Sequence, residues 1–273
     1  MELQYKTCCS ITCIAKRKSY SFLLAILFAN SILLGSECSD RFLHRFGHYV
    51  VDFNRYCFTK ESLICVGATV PYYLVTRQFD QHINDSFFCW DHHCNCNQLP
   101  HWFHNCADYG LGVVFGLGVI AFCPCRKDLR RAAEIYLTAI PFTWIGKNVL
   151  KSIKHDGCLR PKHGKFDWRK KWYGGCPSGH MMEITFAGVY WGLVGGPVFA
   201  VPISIFGAVM AADFVVGNRH YVSQLFAGAG LGVIYALAAY RTYQDECNRL
   251  CDFDIDPICT SSGEVGVRCS MSF

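Results

Sequence analysis

The sequence predicts an all-α protein, an integral membrane helical bundle with about six transmembrane helices. Hydrophobic residues make up 52% of its 273 residues and charged residues only 17%, whereas soluble domains carry about 25% charged residues. Aromatic residues reach 15%, which is typical of chains whose Trp and Tyr side chains lie at the lipid interface. Apolar runs close to the ~20 residues of one crossing recur between polar turns.

The N-terminal domain, residues 1–108, is predicted to hold one transmembrane helix and a Cys/His-rich extracytoplasmic region. Its first apolar run, 20–35, follows the basic residues 16–18, a pattern that first membrane helices share with cleaved signal peptides. No clear small-residue cleavage pattern follows the run, which favours the uncleaved helix. The basic side of this helix is expected to face the cytoplasm.

A second apolar stretch, 62–76, is short and contains Pro71. If it crossed the membrane, the basic turn 126–131 would face outward, against the preference of Lys and Arg for the cytoplasmic side. If it does not cross, the chain has six helices, both ends are cytoplasmic and the basic turn lies inside. The six-helix topology without 62–76 is therefore favoured.

Residues 89–106 are dense in cysteine and histidine, in a chain with 18 cysteines. A zinc site is one interpretation, but the spacing lacks a Cys-x2-Cys pair with a matching distal pair. The favoured interpretation is a loop with a disulfide or free thiols, beside interfacial Trp90 and Trp102. No metal ion and no other cofactor is expected.

The predicted core, residues 109–240, contains the other five apolar runs. They are 109–124, 132–150, 178–194, 198–216 and 221–240. The glycines at 228, 230 and 232 are expected to let helices approach closely. The remaining residues, 241–273, form a polar tail that is expected to be poorly ordered.

Three polar clusters lie at the ends of these runs. They are Lys154 with Arg160-Pro161, then Pro177-Ser178-Gly179-His180, and then Arg219-His220 with Gln224. In the six-helix topology, the segment 151–180 and the turn 217–220 share the outer face. The position of the basic segment 151–171 between apolar runs favours phosphate or anionic lipid as its partner over nucleic acid.

The first two clusters carry the features of a phosphate site. Ser178 and Gly179 open a helix, and the free N–H groups of a helix start bind anions. Glycine also permits close approach of the backbone to a ligand. Arg160 offers a planar fork of donors to phosphate oxygens, and Lys154 adds a mobile charge.

The two histidines can supply the chemistry. A neutral imidazole nitrogen of His220 could attack phosphorus and form a phosphohistidine. His180 would protonate the leaving alcohol and then activate water for the second step. This mechanism requires no metal ion.

These clusters resemble the motifs of the type 2 phosphatidic acid phosphatase superfamily, which includes membrane-bound lipid phosphate phosphatases and vanadium haloperoxidases. The family pattern is a lysine, six residues and Arg-Pro, then Pro-Ser-Gly-His, then Ser-Arg, five residues, His, three residues and Asp. The resemblance covers about 147–235, and the stretch from His220 to Gly228 looks like the helix of the third motif. Membrane members have six helices with all motifs on one outer or lumenal face.

The resemblance implies a role for each matching residue. His220 corresponds to the nucleophile and His180 to the general acid. The phosphate cradle would consist of Lys154, Arg160, Ser178 and Gly179.

Three positions depart from the family pattern. Lys154 stands five rather than six residues before Arg160. The arginine of the third motif falls on Phe214, which cannot bind phosphate, and Arg219 is the nearby substitute. The aspartate that orients the nucleophile is replaced by Gln224, whose amide oxygen can accept a hydrogen bond at this i, i+4 spacing but cannot stabilise an imidazolium as a carboxylate would.

The favoured function is a metal-independent membrane phosphatase that removes a phosphate monoester or diphosphate from a phosphatidic acid-like lipid. The alternative is a weakly active or inactive family member that binds phospholipid headgroups, which the departures at Phe214 and Gln224 motivate. A metal-handling protein that uses 89–106 is a third hypothesis. The expected partners are a lipid phosphate substrate and membrane lipids. The expected location is a multi-pass membrane protein with its site on the extracytoplasmic or lumenal face.

Overall fold

The computed structural model describes residues 36–87, 106–120, 127–161, 174–250, 253–259 and 265–271. The chain divides into two units, residues 1–49 and residues 50–273. In the first unit, the described residues 36–49 are helical.

The second unit, which begins within the first helix, is a helical bundle with a short β-hairpin near its C-terminal end. In chain order the helices are α1 (Ser36–Tyr56), α2 (Lys60–Phe87), α3 (Cys106–Ile120), α4 (Lys127–Ser152), α5 (Gly179–Gly195), α6 (Pro197–Val216) and α7 (Val222–Leu250). Strand β1 (Phe253–Cys259) pairs antiparallel with β2 (Val265–Met271). The predicted helical bundle is confirmed, with this hairpin as an addition.

The described parts of the five predicted core runs correspond to α3 to α7 to within one residue, whereas residues 121–124 of the first of these runs and the whole run 20–35 lie outside the described residues. Within the described part of the chain, two helical segments are long and apolar enough to cross a membrane. They are Pro197–Val216 in α6 and Val222–Asn248 in α7. The break predicted between α5 and α6 is at Gly196, whose positive φ of 77° suits a residue without a side chain.

The stretch 62–76 lies inside α2, a helix of 28 residues that includes Pro71. At about 1.5 Å per residue, a helix of this length exceeds the ~30 Å hydrocarbon core of a bilayer. One side of α2 contacts α7. Many of its apolar side chains remain exposed: Leu63, Ile64, Val66, Val70, Tyr72, Leu74, Val75 and Phe79.

An aromatic cluster joins α3, α4 and α5. The ring of Tyr136 stacks on those of Phe186 and Tyr190, with centroids 4.9 and 5.4 Å away. The Tyr136 hydroxyl donates to the Val114 carbonyl oxygen, and the Tyr190 hydroxyl donates to the Ala132 carbonyl oxygen. Both hydroxyls are therefore satisfied inside an otherwise apolar core, as buried polar groups need to be.

Glycines allow α7 to approach its neighbours, as predicted. Gly228 lies against the Ser178 carbonyl oxygen and Gly232 against the Met182 carbonyl oxygen, so a side chain at either position would collide with the α5 backbone. Gly230 lies against the Thr69 side chain of α2. This close contact places the start of α5 directly beside the first turns of α7.

The polar tail has more regular structure than expected. Helix α7 continues ten residues past Tyr240, to Leu250. Its extension is held by an ion pair between Arg241 and Glu61 at 3.1 Å and by a hydrogen bond from the Tyr56 hydroxyl to Asp245. The β-hairpin then follows.

Candidate functional site

Ser178 lies at the N-terminus of α5, where the sequence predicts an anion site. Ser178 is its N-cap residue, with φ −68° and ψ 112°, and makes no side-chain capping bond. The residue is fully buried, and within the described residues its hydroxyl has no hydrogen-bond partner. A buried hydroxyl without a partner is costly, so a ligand oxygen at this helix start would satisfy it.

His220 is oriented by Gln224, as the spacing predicts. The His220 Nδ1 atom lies 3.2 Å from the Gln224 Oε1 atom. The Gln224 amide group is itself fixed, because its Nε2 donates to the carbonyl oxygens of Gly157 and Leu159. Oε1 must therefore face the imidazole and accept from Nδ1–H. In this tautomer the lone pair lies on Nε2, the nitrogen that can attack phosphorus.

Gln224 also connects the three clusters. Its backbone oxygen accepts from the Ser178 N–H at 3.0 Å. Its side chain binds the backbone on either side of Cys158, two residues before Arg160. An aspartate could accept from the imidazole but could not donate to two carbonyl groups. The Gln224 side chain thus has a structural role that its spacing from His220 alone does not reveal.

His220 is only 3% exposed. Burial lowers its pKa well below the usual histidine range, and the positive charges of Arg160 and Lys151 lower it further. The imidazole is therefore neutral at physiological pH, which is the state required of a nucleophile.

Phe214 lies between the two histidines. Its ring centroid is 5.6 Å from that of His180 and 5.3 Å from that of His220. Its carbonyl oxygen also accepts from the N–H groups of Arg219 and His220. The phenyl ring thus supports both imidazoles and lines the site, although it cannot bind phosphate.

Arg160 lies at the centre of the site. Its Nη1 donates to the Arg219 carbonyl oxygen at 3.2 Å, and its Nη2 donates to the Gly174 carbonyl oxygen at 3.3 Å. Its buried Nε has no hydrogen-bond partner in the described ranges. Burial and the neighbouring Arg219 charge lower the pKa of Arg160. An anion would relieve both costs.

Two ion pairs hold other cations of the site. Arg219 pairs with the buried Asp213 at 3.3 Å. Lys147 pairs with Glu183, and the Lys147 side chain lies against Gly179. These pairs leave Arg160 without a carboxylate partner among the residues described, so the site retains positive charge for a ligand.

Lys154 is exposed, and its predicted phosphate contact stays a prediction. The cation that the structure places near Arg160 and His220 is Lys151, in the last turn of α4. Burial lowers the pKa of Lys151 to about 8, with Arg160 and Lys147 acting in the same direction. A signal was present in the sequence, because Lys151 and Lys147 are four residues apart and share one helix face.

Helix α2 positions the segment that carries His220, which the sequence did not indicate. Asp80 accepts from both the N–H and the hydroxyl of Ser223, in the first turn of α7. Asn84 donates to the buried Asn218 side chain at 3.1 Å, in the turn before α7. An acidic side chain at a helix N-terminus caps it and complements the helix dipole.

The zinc hypothesis falls on residues that are largely outside the described part of the chain. Residues 88–105 are not described. Among the residues that are, no group of three or more His, Cys, Asp or Glu side chains could hold a metal ion.

No protein-family model matches this sequence, and no curated protein matches it. Among solved structures, the chain is similar to the crystal structure of a transmembrane PAP2-type phosphatidylglycerolphosphate phosphatase from Bacillus subtilis. The two sequences are 12% identical, the alignment covers 67% of this chain and 96% of the other, and the TM-score is 0.48. At this identity and score, the likeness assigns neither a family nor an activity to this chain.

Proposed function

We propose that this chain is an integral membrane phosphatase that hydrolyses a phosphate monoester or diphosphate on a lipid. The observation that carries the proposal is the buried His220–Gln224 pair beside Arg160. Gln224 holds the imidazole in the tautomer that leaves Nε2 available, and burial keeps it neutral. A nucleophile next to a guanidinium whose Nε has no partner among the described residues is an arrangement suited to phosphoryl transfer.

The phosphate group would bind at the start of α5. Ser178 and the backbone N–H groups from Gly179 onward supply neutral donors. Arg160 and Lys151 supply positive charge, which becomes more favourable as charge develops on the equatorial oxygens. Arg219 stands at the edge of this cluster, held by Asp213.

The reaction would proceed in two displacement steps. His220 Nε2 attacks phosphorus, the bond from phosphorus to the lipid oxygen breaks, and His180 donates a proton to that oxygen. His180 then removes a proton from water, the resulting oxygen attacks the phosphohistidine, and the P–N bond breaks. Inorganic phosphate leaves and both histidines regain their starting states. No step calls for a metal ion.

A membrane location and a lipid substrate are supported by the distribution of apolar side chains. Besides α2, exposed apolar residues lie on α4 and α6: Trp144, Ile145, Val149, Val198, Val201 and Ile205. Exposed apolar surfaces of this extent are typical of contact with lipid. A lipid headgroup could then reach the site laterally, on the extracytoplasmic or lumenal face that the charge pattern favours.

The proposal is tested by phosphate release from lipid phosphates by the detergent-purified protein with EDTA present. The panel comprises phosphatidic acid, phosphatidylglycerophosphate, a polyprenyl diphosphate and a lipid A phosphate. Wild type should release phosphate from at least one substrate, and His220→Ala should not. His155→Ala is the matched control, because His155 is exposed and lies in the neighbouring loop. Equal release by wild type and His220→Ala would overturn the proposal.

A second candidate function is the binding of phospholipid headgroups without turnover. It is favoured by the neutral Gln224, which cannot offset positive charge on the imidazole as a carboxylate does. In that case vanadate or phosphate would bind to the wild-type protein, Arg160→Met would abolish that binding, and no substrate of the panel would be hydrolysed.

A further inference from the structure

Two cysteines flank the proposed phosphate site in equivalent positions. Cys158 stands two residues before Arg160, and Cys176 stands two residues before Ser178. Both are buried, with exposures of 0% and 8%, and both are free thiols in this structure. The mechanism above uses neither of them.

The backbones around the two cysteines lie side by side. The Gly175 N–H donates to the Cys158 carbonyl oxygen at 2.8 Å. The Cys158 sulfur lies 3.9 Å from the Cys176 carbonyl oxygen. The Cys158 side chain therefore reaches the backbone of Cys176. Disulfide-bonded residues have Cα atoms about 4.4–6.8 Å apart, a spacing that neighbouring residues on hydrogen-bonded backbone segments can have.

Both reduced thiols are buried and hydrogen bonded, Cys176 to the Tyr73 side chain. The Cys158 thiol donates to the Ile153 carbonyl oxygen at 3.0 Å. Burial raises the pKa of Cys176 to about 11, and the adjacent Cys158 thiol acts in the same direction. Because thiolate is the reactive form, these thiols exchange slowly once the loops have closed over them.

We propose that Cys158 and Cys176 form a disulfide that links the Arg160 loop to the Ser178 loop. The bond closes a ring over residues 158–176, which includes the basic segment between the two loops. The link restricts the separation of Arg160 from the start of α5, and with it the geometry of the anion site.

The oxidant is a small-molecule disulfide such as oxidised glutathione. One cysteine thiolate attacks the oxidant, an S–S bond breaks, and one glutathione thiol leaves. The second cysteine thiolate then displaces the other glutathione from the mixed disulfide. Two cysteine thiols and one glutathione disulfide thus become one protein disulfide and two glutathione thiols. The exchange occurs while the chain folds, before Cys158 is buried.

The test is peptide mapping of the full chain, purified in detergent without reductant after folding in the presence of oxidised glutathione. Free thiols are blocked with N-ethylmaleimide in denaturant, and the protein is digested. The expected result is one cross-linked species that joins the peptides of Cys158 and Cys176, two hydrogen masses lighter than their sum. Recovery of both peptides as maleimide adducts, or linkage of either cysteine to another, overturns the proposal.

Two cysteine variants test which residues form the cross-link. Cys158→Ser should return Cys176 as the maleimide adduct, whereas the matched control Cys65→Ser on α2 should retain the cross-linked species. The peptide map of the wild-type protein decides the outcome even if Cys158→Ser does not fold. The readout needs no catalysis, so a chain without phosphatase activity that shows the cross-link would overturn the proposed function and leave the disulfide in place.

Discussion

Gln224 is the residue on which the geometry of the site depends most. Its amide oxygen orients His220, while its amide nitrogen binds two carbonyl groups beside the Arg160 loop. The side chain is only 1% exposed. Every one of these bonds is therefore made away from water, where the loss of a partner is costly.

Gln224→Glu keeps the acceptor for His220 but faces a carboxylate toward the carbonyl oxygens of Gly157 and Leu159. Two buried acceptors lose their donor, so the free energy of unfolding should fall by about 3 kcal/mol. Denaturant unfolding in detergent measures this loss. Gln78→Glu is the control, because Gln78 is exposed on α2. Equal stability of the two variants would contradict the assigned role.

Substitutions of Lys151 and Lys154 should differ in their effect on kcat/KM. Lys151→Met should lower kcat/KM about 100-fold, the effect of removing one stabilising group from a phosphoryl-transfer site. Lys154→Met should change it less than about twofold, since Lys154 is exposed. Steady-state phosphate release from one lipid substrate measures both. A larger loss of kcat/KM in Lys154→Met than in Lys151→Met would indicate that Lys154, the lysine that the motif spacing predicts, contacts the phosphate.

The pH dependence follows from the same lysine. Its pKa of about 8 is lowered by burial and by Arg160, while Glu183 opposes the shift. The ammonium therefore loses its proton as pH rises through about 8, and kcat/KM should fall over that interval because it reports the free enzyme. In Lys151→Met this basic limb should vanish from the pH profile. A limb that persists unchanged in the variant would assign it to another group.

At the scale of the elements, α2 and α7 form one structural support for the nucleophile. Asp80 caps the first turn of α7 at Ser223, three residues after His220. Asn84 binds Asn218 in the turn that precedes α7. Close contact through Gly228 then sets α5 against α7. The two histidines are positioned by separate helices that share this contact.

Asp80→Ala should lower the free energy of unfolding by about 1–2 kcal/mol, the usual cost of a lost N-cap. It should also lower kcat, because the first turn of α7 carries the His220 segment. Thermal unfolding and phosphate release measure the two effects. Asp85→Ala, at an exposed position on the same helix, is the control and should leave both unchanged. An unaltered kcat in Asp80→Ala would show that the contact from α2 does not contribute to the function of the site.

At the scale of the whole molecule, the prediction of the fold was most successful where Gly, Pro or polar residues bounded an apolar run. Helices α5 and α6 begin and end close to the predicted positions for this reason. The proposed site residues from Ser178 to His180 and from Arg219 to Gln224 carry local signals of the same kind. Periodicity and spacing carry this information without any knowledge of tertiary contacts.

The features of the fold and of the site that the sequence did not predict depend mostly on long-range contacts. Asp80 lies in a helix whose sequence carries no motif, and its importance comes from what it faces in the folded chain. Lys151 shares a helix face with Lys147, but its place near Arg160 and His220 is seen only in the folded chain. The extension of α7 depends on the Arg241–Glu61 contact across 180 residues. The C-terminal hairpin had a local signal, since valines alternate with other residues from Val265 onward.

The membrane assignment is checked by alkaline carbonate extraction of membranes that contain the full chain. The exposed apolar faces of α2, α4 and α6 and the two candidate spans predict that the protein stays in the pellet. Treatment with detergent should then release it. Recovery in the carbonate supernatant would contradict an integral membrane protein.

The most direct test of the central claim is to trap the phosphorylated enzyme. Wild-type protein would be mixed with a radiolabelled lipid phosphate that it hydrolyses, quenched in alkali within milliseconds to seconds, and mapped by peptide. The proposed mechanism predicts alkali-stable, acid-labile label on the peptide that contains His220, and none in His220→Gln. Phosphate release without label at His220, or equal release by His220→Gln, would contradict the role of this histidine as nucleophile.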